Sequence, residues 1–109
     1  MIDFLDFKKR LIKLESEAWD HIQLKHPGIK IDDIKSILSD PDVVQLDETS
    51  KPNSTCLDEL FFHKQLNKGG KMRFILIVVR VCEDGNYIST SYICRKLKSY
   101  KIIYSKKEV

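Results

Sequence analysis

The hydrophobic period changes once along this chain, at Asp40-Pro41-Asp42. Before it, apolar residues recur every three or four positions; after it, they recur every two. A chain with that switch builds helices first and strands second. It has to bury them against each other, because each layer exposes one apolar side.

The helical half has two parts. Phe4, Phe7, Leu11, Leu14, Ala18 and Ile22 make a helical stripe. The stretch reads as one helix, or as two joined near Ser16, with Ser16 as a candidate N-cap. It ends near His26, because Pro27 disfavours helical geometry in the residue before it. A second helix spans about 31–39, with Asp32 and Asp33 in its first turn and Ile34, Ile37 and Leu38 as its stripe.

The strand half reads as 42–46, 57–66, 72–81 and 87–95, with KIIYS at 101–105 as a short edge strand. The polar stretch 47–55 is a loop, and NKGG at 67–70 and EDGN at 83–86 are hairpin turns. The expected fold is therefore α+β: N-terminal helices packed on one face of a four-stranded antiparallel sheet. In the central strand, Ile75, Ile77, Val79 and Val81 form the face expected under the helices. Phe74, Leu76, Val78 and Arg80 form the other, a partly open floor for a site.

The chain has 109 residues, enough for one domain. No apolar run approaches the roughly 18 residues that cross a bilayer, and MIDFLDFKKR is not a signal peptide, so a cytoplasmic protein without membrane association is expected. Cys56, Cys82 and Cys94 are odd in number and form no CxxC pair. They read as buried reduced thiols, with no metal site and no cofactor.

Charge is divided between the two halves. Residues 1–60 hold 8 Lys/Arg against 13 Asp/Glu, a net of −5; residues 61–109 hold 11 against 3, a net of +8. From Arg95 to Lys107 there is no acid at all. One basic face suits a polyanion, and the alternative is that the two halves neutralise each other on folding.

His21, His26 and His63 are the side chains suited to proton transfer near neutral pH. His21 also fits a plain surface position, and His26 a helix C-terminal cation. His63 and Lys64 lie on opposite faces of one strand, so only one of them faces a given site. Arg80 could hold phosphate, or pair with Asp58 or Glu59. Thr90 and Tyr92 share one face of the fourth strand.

In order, AWDHIQLKHPGI at 18–29, ILSDPDVV at 37–44, LFFHKQL at 60–66, FILIVVRV at 74–81 and YISTSY at 87–92 resemble the phage-type nucleases of the barnase–EndoU–colicin–RelE superfamily. The resemblance covers about 16–98. It implies a RelE/barnase-like fold and a metal-independent endoribonuclease, the toxin of a toxin–antitoxin or phage-linked system. It implies catalytic roles for His21, His26, Lys64, Thr90 and Tyr92. Arg80, Arg95, Lys96 and Lys98 add phosphate-binding charge. RNA (transfer or messenger RNA, free or on a ribosome) and a cognate antitoxin are the implied partners. Residues 1–15 fall outside the match as a docking helix, and 99–109 as a basic tail. The competing readings are an RNA- or ribosome-binding module without chemistry, and a protein-interaction adaptor.

Overall fold

A computed structural model describes residues 1–48 and 56–106. The expected 47–55 loop, apart from its first two residues, and Lys107 at the end of the basic tail lie outside the described residues. The element order is β1 (Ile2–Leu5), β2 (Leu11–Leu14), α1 (Ser16–Lys25), α2 (Ile31–Ser39), β3 (Val43–Asp47), β4 (Cys56–Lys68), β5 (Lys71–Cys82), β6 (Gly85–Cys94) and β7 (Lys101–Ser105). The strands form one sheet in the order β1-β2-β6-β5-β4-β3-β7.

This corrects the expected four-stranded antiparallel, RelE/barnase-like arrangement. The sheet has seven strands, and it is mixed, because β2 runs parallel to β6 through Ile12↔Asn86 and Lys13↔Tyr87. Among the described residues there are two helices, both short.

The largest departure is in residues 1–15, which form a hairpin and not a docking helix. Phe4, Phe7, Leu11 and Leu14 fit a helical stripe, but Ile2/Phe4 and Ile12/Leu14 also alternate with period two. Asp6 decides between them. Its buried carboxylate accepts the backbone N–H groups of Lys8 and Arg10 at 2.9 and 2.8 Å, and the Arg10 Nε–H at 2.7 Å. A short acid that binds the backbone two and four residues on favours a turn over a helix. Lys9 completes the turn in the left-handed region, at φ 65°.

Other elements follow local chemistry. Helix α1 stops where Pro27 requires, with the His26 N–H bonded to the Ile22 carbonyl. Glu15, rather than Ser16, is its N-cap. In α2, Asp33 accepts the Lys30 N–H at 2.9 Å. Gly69 and Gly70 both have positive φ, which a two-residue hairpin turn needs, and this turn joins the long strands β4 and β5.

The principal core lies on one face of the sheet. Ile22, Ile34, Ile37 and Leu38 from the helices meet Ile12, Leu14, Val44, Leu60, Phe62, Ile77, Val79 and Ile88. The sheet curls around it: Phe7, in the β1–β2 turn, reaches Phe62 edge-on at 6.1 Å and Tyr104 of β7 at 4.6 Å. A smaller cluster of Phe61, Leu76 and Val78, with Tyr92 and Cys94 against it, lies on the opposite face.

Reduced thiols throughout do not hold: Cys82 is disulfide-bonded, while the Cys94 thiol is free, and burial pushes it up from its ordinary value. No helix among the described residues is long and apolar enough to cross a membrane.

Candidate functional site

The face opposite the helices is organised by the connection from β6 to β7. Strand β6 ends at Cys94, and β7 begins at Lys101 on the far side of β3. Residues 95–100 therefore cross β5, β4 and β3. The floor expected to be partly open is covered along this line.

Beneath the crossover is a buried polar network. Gln45 Nε2 donates to the carbonyls of Lys98 and Tyr100 at 2.7 and 3.0 Å. Its Oε1 accepts the Lys98 N–H at 3.1 Å and sits 2.9 Å from His63 Nε2. That oxygen can only accept, so His63 carries its proton on Nε2. Its Nδ1 has no hydrogen-bond partner among the described residues. Burial, with Lys98 adding repulsion, pushes the His63 pKa down to about 4. The ring is fully enclosed and neutral at physiological pH, so His63 holds structure rather than moving protons.

His26 behaves differently. It caps α1, which follows β2 along the free edge of β6, and its half-buried ring lies 6.0 Å from that of Tyr92. Tyr92 projects from β6 onto the crossover face, opposite Leu76. Lys98 places its ammonium 5.2 Å above the Tyr92 ring. The Tyr92 hydroxyl beside it raises the Lys98 pKa above the ordinary lysine value. A base, a hydroxyl and a firmly charged cation thus come from three separate segments. Thr90 shares the face, two residues earlier on β6.

Other candidates lie elsewhere. His21 is exposed on α1. Lys64 points to the helix side, next to Phe62 and Leu66 in the alternation. There it donates to the Asp40 carbonyl at 3.0 Å and pairs with the Asp40 carboxylate at 3.5 Å. The same carboxylate takes Lys106 at 2.9 Å, and this hydrogen bond leads the causes that hold the Asp40 pKa down. Arg80 is exposed and pairs with Glu59 at 4.0 Å, one of the two partners expected for it. Arg95 and Lys96 are exposed just beyond β6.

The charge division of the sequence becomes a polarity along the strands. Asp58, Glu59, Glu83 and Asp84 gather at the β5–β6 turn end, with Arg80 among them. At the other end, Lys71 and Arg73 open β5, Arg95 and Lys96 follow β6, and Lys25 precedes His26. The His26–Tyr92–Lys98 group therefore lies toward the basic end, where the local field favours anions.

Two residues of this face went unnoticed in the sequence. Gln45 is a lone amide inside the apolar strand VVQL, and that is the signal for a buried network. Tyr100, whose ring stacks on Phe61 at 4.9 Å, carries no comparable signal.

Among the described residues, no group of three or more His, Cys, Asp or Glu is placed to hold a metal ion. Compared with protein-family models, with curated proteins and with solved structures, the chain matches none, so its functional reading rests on this geometry.

Proposed function

We propose that the protein is an endoribonuclease that needs no metal, with its site at His26, Tyr92 and Lys98. The observation that carries the reading is the convergence of these three at the basic end of the sheet. RNA supplies its own nucleophile. His26 takes the proton of a 2′-hydroxyl, and the 2′-oxygen attacks the adjacent phosphorus. Lys98 stabilises the charge that builds on the phosphoryl oxygens. The 5′-oxygen leaves with the proton of the Tyr92 hydroxyl, giving a 2′,3′-cyclic phosphate and a 5′-hydroxyl end. Arg95 and Lys96 add backbone affinity. The ordered motifs shared with the barnase–EndoU–colicin–RelE superfamily support the same activity, with an antitoxin as inhibitory partner. A cellular RNA substrate favours the cytoplasm, whereas the Cys82 disulfide favours an oxidising compartment.

A second reading is an RNA-binding module without cleavage. It is favoured by the placement of Lys64, which is tied to Asp40 on the opposite face.

Total RNA incubated in EDTA separates the two. Wild type and His21→Ala should give discrete fragments, and His26→Ala should leave the RNA intact. Fragments from His26→Ala at the wild-type rate refute the proposed site. Intact RNA in all three, with salt-sensitive binding, selects the non-cleaving module.

A further inference from the structure

The crossover holds one aromatic ring outward. Tyr100 is 40% exposed although its ring is stacked on Phe61, with planes 19° apart. Phe61 is itself buried in the small cluster of that face. The backbone under Tyr100 is fixed by buried Gln45, which takes the carbonyls of Lys98 and Tyr100 together. A surface tyrosine whose inner face is packed, and whose backbone is bonded from below, presents its outer face at little entropic cost.

Its surroundings suit a strand of phosphates. Lys98, two residues before it, interacts with the hydroxyls of both Tyr92 and Tyr100, and its ammonium sits over the Tyr92 ring. The acids of this face do not oppose that charge freely: Glu59 pairs with Arg80, and Asp47 has an interaction of its own. Aromatic faces beside cations are how proteins hold unpaired bases. Duplex bases are already stacked, and an A-form duplex offers no ring face to such a shelf.

Resting on the reading of the His26 site as an RNA site, we infer that Tyr100 on Phe61 is a base-stacking shelf. It receives an unpaired base of the RNA whose phosphate lies at Lys98, so the substrate is single-stranded RNA. Tyr100 then holds a base beside the lysine that holds the phosphate, while the Tyr92 ring stays covered by Lys98.

The test measures binding without turnover. A His26→Ala background is titrated with fluorescein-labelled single-stranded RNA and with a blunt RNA duplex, by fluorescence anisotropy. Tyr100→Ala should weaken single-strand binding about ten-fold and leave duplex binding unchanged. Tyr100→Leu keeps an apolar cover on Phe61 but has no ring face, and it should lose as much. Tyr100→Trp should keep the affinity, and RNA should quench its emission beyond any change of Trp19 in the parent. Because stacking releases no counterions, Tyr100→Ala should keep the parent's salt slope, whereas Lys98→Ala should lower it by about one. Single-strand binding that is indifferent to both Tyr100→Ala and Tyr100→Leu overturns the shelf alone. Equal binding of duplex and single strand, with the same loss on mutation, also overturns it. No binding of either RNA by the His26→Ala background overturns the RNA reading, and the shelf with it.

Discussion

The two faces of this sheet are built from the same strands, yet they are finished differently. On one face, two helices and the curled β1–β2 hairpin enclose isoleucine, leucine, valine and phenylalanine. On the other, residues 95–100 cross over a smaller apolar cluster and a Gln45–His63 network. Strand alternation explains how one segment serves both: Phe62 goes to the core, while Phe61 and His63 go to the crossover face. The lesson is a division of labour. The first face supplies stability through area buried, and the second uses a few directed hydrogen bonds to fix polar and aromatic groups near the surface.

That contrast can be broken most severely on the first face. Phe62 is fully buried against both the helices and Phe7. Phe62→Ala should cost about 3–5 kcal/mol in urea unfolding. A loss under ~1 kcal/mol would show that this face is not the principal core.

The next effect belongs to the second face and depends on pH. His63 has a folded-state pKa near 4, against an ordinary value of 6.5. The native state therefore refuses a proton that the unfolded chain accepts. This residue's effect is nil above about pH 7, destabilising as pH falls below 6.5, and level again below about 4. The full loss is about 3 kcal/mol. Thermal unfolding of wild type and His63→Gln from pH 7 to 4.5 should show a steeper decline for wild type. Parallel profiles would place the acid sensitivity elsewhere.

The smallest effect is expected at the acidic end. Arg80 and Glu59 are largely exposed and 4.0 Å apart. Arg80→Ala should change stability by less than about 0.5 kcal/mol, as for most surface pairs. A larger loss in chemical denaturation would mean that Arg80 organises the open part of the crossover face.

Several features of this architecture are legible in local residues. Pro27 and Pro41 bound the helices, Gly69-Gly70 turns the central hairpin, and the alternation in 74–81 assigns its two faces. The first fifteen residues mislead because four apolar positions satisfy both periods. Only Asp6 signals the turn, and its effect depends on its burial in the folded chain, where the neighbouring Phe7 N–H donates to the Leu38 carbonyl of α2. The candidate site is legible only in part. His26 and Tyr92 were each recognisable as chemistry, but their approach requires β2 to lie parallel to β6 and so lead α1 along its edge.

The sequence alone determined residue types, local turns, helix ends and strand alternation, because these depend on neighbours within a few positions. Tertiary structure decided which strands pair, which histidine is enclosed and which meets Tyr92, and that residues 95–100 cross the sheet. Those outcomes depend on contacts such as Gln45 with Lys98 and Tyr100, more than fifty residues apart. Such contacts form only when the rest of the chain has closed the distance.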